Sequence, residues 1–194
     1  MDKITLGPQE MVYPMPVWLI GTTINGAPNF MTTAWGGVAN GKPPMISLAI
    51  RPNRYTFKGI LQNMTLSVNI PPTSLVKEAD YCGITSGART DKVKNCKFNI
   101  FYGKLGSAPL IEQCPINLEC RVVHILNLGS HCLIVSQVEE SYVSKDCLTD
   151  GKVDLKKIKP LIYDRGGEQY ISFGEVVAKA FSVGRELKTK EETT

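Results

Sequence analysis

The stretch "VWLIGTTINGAPNFMTTAWGG", residues 17–37, decides the reading of this chain. Its first part is rich in β-branched and aromatic residues, as strands are. Asn25-Gly26 follows, the strongest short hairpin signal there is. "NFMTTAW" (29–35) is then the returning strand, and an odd one. Thr32 and Thr33 place hydroxyls on both faces, Trp35 adds an aromatic edge, and Gly36-Gly37 offers no side chain to pack. A strand end that combines hydroxyls, bare backbone and an aromatic ring suits a site better than a core.

The segments beyond it repeat the pattern. "MISLAI" (45–50) is apolar nearly throughout and reads as a buried strand. "YTFKGILQN" (55–63) has helical spacing, and "TLSVNI" (65–70) alternates like a strand until Pro71-Pro72 ends it. Residues 73–92 read as short helix and loop, with a helix over 73–81. "INLECRVVHILNLG" (116–129) and "HCLIVSQVEESYV" (131–143) are two long strands joined at Gly129-Ser130. "PLIYD" (160–164) and "QYISFG" (169–174) form a last hairpin across Arg165-Gly166-Gly167, and "EVVAKAF" (175–181) is expected to continue as a short helix. Strands joined by hairpins, with few helices, argue for an antiparallel barrel and against a doubly wound sheet. No repeat or linker divides the 194 residues, so they are expected to form a single domain, 1–194, with its core over about 13–181 and a frayed, charged tail at 185–194.

Composition narrows the function. The net charge of +4 comes from scattered basic residues, whereas a nucleic-acid binder concentrates them on one face. "MDKITLGPQE" has no apolar run behind its lysine, and no stretch approaches the roughly 20 apolar residues that span a bilayer. The expectation is a cytoplasmic protein that binds neither nucleic acid nor membrane. The six cysteines make no C-x-x-C pair and the two histidines, His124 and His131, are not clustered, so no metal site is expected. "GGVANGK" (36–42) imitates a phosphate-cradling loop, but Pro43 and Pro44 forbid the helix that must follow. Gly41 and the prolines read as a surface turn.

Two other loops suit an anion. "RPNRYT" (51–56) opens a helix, so free N–H groups emerge beside Arg51 and Arg54. "SGARTDK" (86–92) presents the Ser86 hydroxyl and Gly87 backbone next to Arg89 and Lys92. Two such loops in one barrel favour a phosphate. His131 opens a strand after a tight turn, a position that faces clefts more often than a mid-strand histidine such as His124 does.

In order and spacing, these pieces resemble the flavin reductase-like family, most closely its flavoredoxin branch, from about residue 13 to 175. The resemblance implies a mainly β, antiparallel, six-stranded-type split barrel with a few short helices that binds FMN. It implies that Asn29, Thr32, Thr33, Ala34 and Trp35 line the isoalloxazine ring, a body with a polar edge and an apolar face. Arg51, Asn53, Arg54, Tyr55 and Thr56, with Ser86, Gly87 and Lys92, would hold the ribityl phosphate. Asn69 would lie near the flavin, and His131 would serve the nicotinamide side of the reaction; Cys132 beside it departs from the family pattern. The function so implied is an FMN-dependent oxidoreductase taking electrons from NAD(P)H or a reduced donor to free flavin, ferric iron or a redox protein partner. A non-enzymatic FMN electron carrier is the alternative, and a barrel that holds no FMN is a third reading. No Rossmann fingerprint is present, so a nicotinamide would dock on the flavin itself. A homodimer is expected, because "VWLIGTTI" and "HCLIVSQV" carry more apolar side chains than one interior face absorbs.

Overall fold

A computed structural model describes residues 2–187. The first hairpin is β1 (Trp18–Ile24) and β2 (Ala27–Thr33), turned by Asn25 and Gly26, both at positive φ (51° and 79°). A second hairpin follows, β3 (Gly36–Gly41) and β4 (Pro44–Ile50). Helix α1 (Tyr55–Asn63) leads into β5 (Thr65–Ile70), and helix α2 (Val76–Ile84) leads out of it. The long hairpin is β6 (Ile116–Asn127) and β7 (Cys132–Val143).

These seven strands make one sheet in the order β2-β1-β5-β6-β7-β4-β3, antiparallel at every pairing. The two ends of that order, β2 and β3, are joined by only Ala34 and Trp35. In a flat sheet the ends would stand six strand spacings, roughly 28 Å, apart. Three Cα steps span at most about 11 Å. The sheet must therefore roll up until its ends nearly meet. No ladder joins β2 to β3 among the described residues, so the roll stays split, as the family resemblance implies. The seventh strand is β3, a segment that the sequence reading did not assign as a strand; the surface turn read at Gly41 and the prolines lies at its end. Only Lys42 and Pro43 turn there, and β4 recruits the glycine-rich segment as its partner.

The barrel interior is packed by Ile20, Leu48, Ile60, Val68, Val122 and Ile134 with their neighbours. A second layer covers the outside of β1 and β2: Leu19 and Phe30 pack against Cys82 of α2 and against Phe98, Ile111 and Cys114. This layer corrects the motive for a dimer drawn from "VWLIGTTI", whose surplus apolar side chains are absorbed within the chain. On β7, Leu133 and Val135 remain only half-buried on the outer face. Asn69 ties the two layers together. Its amide donates to the Leu19 carbonyl (3.0 Å) and Ser67 Oγ (2.9 Å), and its Oδ1 accepts from the Ile111 N–H (2.9 Å) and from Asn117 (2.8 Å).

Residues 73–75 form a 3₁₀ turn before α2, so the helix expected over 73–81 sits about three residues later. The last hairpin pairs Ile162–Asp164 with Gln169–Ile171. "EVVAKAF" is not helical; residues 172–179 run without regular structure and are exposed. Of the tail expected to fray, residues 188–194 lie outside the described residues. No helix among the described residues is long and apolar enough to cross a membrane.

Candidate functional site

Two cavities meet at Met31, Arg51, Arg54 and Gly83. Together they form one elongated site along the open edge of β2.

The smaller, about 340 Å³, is built by the start of α1 and the loop after α2. Arg54 is the helix N-cap with an extended backbone and no side-chain cap, and no acidic residue stands in the first turn. The Arg54 N–H bonds to Arg51 O and the Phe57 N–H to Arg54 O, both at 3.0 Å. Among the described residues the N–H groups of Tyr55 and Thr56 have no carbonyl partner. That makes a helix terminus open to an anion. Arg51, Arg54 and Arg89 line the same space, none of them in an ion pair among the described residues, and no carboxylate lines it. The loop comes this close because residue 87 is glycine. A Cβ there would run into Asn29 Oδ1 and approach Tyr55 Cδ1 to 3.1 Å.

The larger cavity, about 580 Å³, is lined on one side by Thr32, Thr33, Ala34 and Trp35, and on another by Ala49, Ile50 and His131. Thr32 donates its hydroxyl to the Ala79 carbonyl, and Thr33 Oγ1 accepts from the Trp35 N–H (3.3 Å). Gly36 lies under the ring of Trp18, where any side chain would collide with the indole. Gly36, which seemed to offer nothing to pack, is the seat of that ring. The His131 ring stacks on Trp35 at 4.4 Å between centroids, with its Nδ1 3.0 Å from Ser130 Oγ. Partial burial, and then the charges of Arg51 and Arg54, hold its pKa below the ordinary histidine value, so it is neutral at pH 7.

Of the residues the sequence singled out, the structure thus brings together Thr32, Thr33, Ala34, Trp35 and His131 around one cavity. Asn53, Tyr55, Thr56, Ser86, Gly87 and Lys92 surround the other, with Arg51 and Arg54 between them. Three assignments change. Asn29 lines neither cavity; its amide donates to Thr56 Oγ1 (2.7 Å), and its Oδ1 lies against Gly87 of the loop after α2. Asn69 belongs to the core network, with both amide hydrogens and both acceptor positions taken. Lys92 reaches the cavity wall, but it is buried, and its Nζ donates to the carbonyls of Phe30 (2.9 Å) and Cys82 (2.8 Å). It stitches the loop to β2 through these bonds, at the wall of the cavity where the sequence reading expected a phosphate contact.

Other lining residues escaped the sequence reading. The last hairpin supplies Tyr163, Arg165, Glu168 and Tyr170, and α2 supplies Asp80. Tyr163 and Tyr170 are register partners with rings 5.8 Å apart. Tyr170 donates to Asp80 Oδ1 (3.0 Å), and burial together with that carboxylate pushes its pKa up to about 12. Arg165 pairs with Glu10 and stands 6.0 Å above the Trp35 ring. The signal was present in "YDRGGEQY": two tyrosines placed symmetrically about a turn share a face.

Comparison with known proteins agrees with this geometry. Residues 11–172 match the model of the flavin reductase like domain. An uncharacterized protein of Archaeoglobus fulgidus is 32% identical over 146 residues, 75% of this chain and 81% of that one. Among solved structures, flavoredoxin from Methanosarcina acetivorans superimposes with a TM-score of 0.92 at 36% identity, over 97% of this chain and 100% of the other. Flavoredoxin of Desulfovibrio vulgaris (Miyazaki F) gives 0.89 at 32%, over 94% and 100%. The rolled, split sheet and the two-compartment cavity along its open edge are thus those of a member of the flavin reductase-like family, on its flavoredoxin branch.

Proposed function

We propose that this protein binds one FMN per chain and passes electrons through it, from NAD(P)H or a reduced donor to an acceptor such as free flavin, ferric iron or a redox protein. The observation that carries the reading is the polarity of the joined cavities. One end is cationic, free of carboxylates and opened by a helix N-terminus; the other is lined by a strand edge, an indole and an imidazole. A dinegative phosphate joined by a short polar chain to a flat heteroaromatic ring fits that gradient. Similarity to two flavoredoxins supports it.

In this reading Arg51, Arg54 and the N–H groups of Tyr55 and Thr56 bind the phosphate, and the Ser86–Arg89 loop closes over it. Thr32 to Trp35 orient the ring and shield one side of it from water. Bound FMN supplies the hydride and single-electron chemistry. His131, neutral and held flat against Trp35, presents a ring nitrogen to whatever docks beside the flavin. Six free cysteines and no disulfide among the described residues fit a reducing, cytoplasmic setting. The unit is a homodimer, a reading supported by the apolar surface a single chain leaves exposed.

Titration with FMN and with riboflavin tests the phosphate assignment. Charge-assisted hydrogen bonds contribute roughly 1.5–3 kcal/mol each. Arg54→Ala should therefore weaken FMN by about tenfold or more and leave riboflavin nearly unchanged. Absence of any flavin spectrum after reconstitution and desalting of the wild type would end the proposal.

Anaerobic addition of NADH or NADPH separates enzyme from carrier, since only the enzyme loses its flavin absorbance. In that assay His131→Ala should slow reduction while FMN affinity holds within about twofold. Unchanged reduction kinetics would leave His131 as a packing partner of Trp35.

A further inference from the structure

Cys82 and Cys96 meet in the wall between two cavities. Cys82, on α2, is buried and lines the smaller, anion-binding cavity. Cys96 stands at the C-terminal end of a short helix, Lys92–Asn95, and is half-buried. It lines a third cavity, about 460 Å³, together with Lys77, Glu78, Tyr81 and Asn95, outside the site described above. The two thiols are free and hydrogen-bond to each other, with Cys82 as the donor. Two cysteines can bridge only where their side chains already approach, and this pair does.

The chain between them carries the anion loop. Among the described residues, Ser86–Arg89 hydrogen-bond only to one another: the Arg89 N–H to Ser86 O (3.0 Å) and the Ala88 N–H to Ser86 Oγ (3.4 Å). The loop is held at its base instead. Asn95 donates to the Tyr81 hydroxyl (2.7 Å) and to Thr90 Oγ1 (2.9 Å). Lys92 Nζ donates to the Cys82 carbonyl (2.8 Å), and the Lys92 carbonyl accepts from the Cys96 N–H (2.9 Å). A bond between the two sulfurs would close residues 82–96 into a covalent ring at this base.

The two cysteines are not equivalent. Burial raises the pKa of both, but at Cys96 the hydrogen bond from Cys82 opposes it, and so does the charge of Lys92. Cys96 is therefore the readier thiolate, and it is also the one that a solute reaches through the third cavity. That cavity has room for a small organic molecule, and Lys77 and Glu78 give its rim one charge of each sign.

We propose that Cys96 is a modification site for small organic disulfides and that Cys82 resolves the adduct, so that a Cys82–Cys96 bond locks the loop over the FMN phosphate. The Cys96 thiolate attacks one sulfur of the small disulfide, whose S–S bond breaks and releases the first small thiolate. Cys82 then loses its proton and attacks the Cys96 sulfur, forming the protein disulfide and expelling the second small thiolate. The two thiolates released take up the two protons that the cysteines lose. Two protein thiols are oxidised, and one small disulfide is reduced to two thiols. The inference rests on the FMN reading above and deepens it: the state of this pair sets whether FMN is exchanged or retained. A loop tied covalently at its base loses less freedom in closing over a ligand and opens less readily to release it.

The test uses the FMN-loaded full chain treated with 2-hydroxyethyl disulfide. Thiol titration after unfolding should show two of the six thiols lost, peptide mapping should find Cys82 joined to Cys96, and FMN dissociation should slow by about tenfold. Dithiothreitol should restore both the thiols and the faster dissociation. Cys96→Ser, at a half-buried position outside the FMN cavities, should bind FMN as wild type does and show no slowing after treatment. Cys82→Ala should stop at the first step, with one small thiol attached at Cys96. Six unreacted thiols, or a bridge from Cys82 to the neighbouring Cys114, would overturn the pair. A Cys82–Cys96 bond with FMN dissociation within twofold of the reduced protein would overturn the lock. Reduced wild type that never binds FMN would overturn the FMN reading and the lock with it, while the peptide map still judges Cys96 as a modification site.

Discussion

Gly87→Ala should weaken FMN by about a hundredfold or more and change global stability by less than about 1 kcal/mol. The added Cβ has nowhere to go. It would meet Asn29 Oδ1 well inside contact distance and crowd the Tyr55 ring. Asn29 does not yield freely, because its amide is bonded to Thr56 Oγ1 in the first turn of α1. The loop must swing away from the helix N-terminus, and the two halves of the anion site separate. Losing two charge-assisted hydrogen bonds at roughly 1.5–3 kcal/mol each gives a hundredfold effect or more. Riboflavin, which lacks the phosphate, should lose far less. A second substitution checks the cause. Asn29→Ala removes the obstacle, so the double variant should recover part of the lost affinity, a coupling that independent sites would not show. FMN affinity within threefold of wild type for Gly87→Ala would mean that the loop does not depend on this close approach.

The helix that opens this site was legible because it depends on local order alone. Arg51 and Arg54 stand just ahead of a helical pattern, and a helix N-terminus presents its N–H groups wherever it is packed. The hairpin at Asn25-Gly26 was legible for the same reason, since both turn residues adopt the positive φ that these residue types tolerate. What failed to show was direction. Asn69 and Lys92 are polar residues near a site, and sequence supplies the donors without saying where they point. In the fold both turn inward, Asn69 to a four-partner network and Lys92 to two carbonyls. β3 was hidden because its glycines and asparagine carry turn propensity, and only the ladder from β4 overrides it. Tyr163 and Tyr170 lie seven residues apart and become neighbours only through hairpin register. The exposed segment 175–181 was misread as a short helix. Its apolar residues have no partner among the described residues to set a helical face, and local periodicity does not report that absence.

Lys92→Met should lower stability by roughly 3 kcal/mol, about 6–12 °C in Tm for a chain of this size, while reducing FMN and riboflavin affinity by the same small factor. Methionine fills the volume of the stem but donates nothing, so the carbonyls of Phe30 and Cys82 are left buried without their Nζ partner. Each orphaned acceptor costs about 1–3 kcal/mol. Some of that is offset, because the variant no longer buries a charge. The offset has a pH signature. Burial is the main influence on Lys92 and lowers its pKa; the nearby Arg54 lowers it further, while Cys82 acts in the opposite sense. As pH rises past that lowered native value the folded state releases the proton, while the unfolded chain keeps it until about pH 10.4. The unfolded state then binds more protons, and stability from Lys92 grows with pH across this window. The neutral amine still carries two N–H groups, enough for both carbonyls. The stability gap between wild type and Lys92→Met should therefore widen from pH 7 toward pH 10, as urea unfolding at several pH values would measure. An unchanged Tm with a loss confined to FMN would instead place the ammonium group on the phosphate. A gap that narrows with pH would show that Lys92 is stabilised as a charge, and that the two carbonyls are not its main partners.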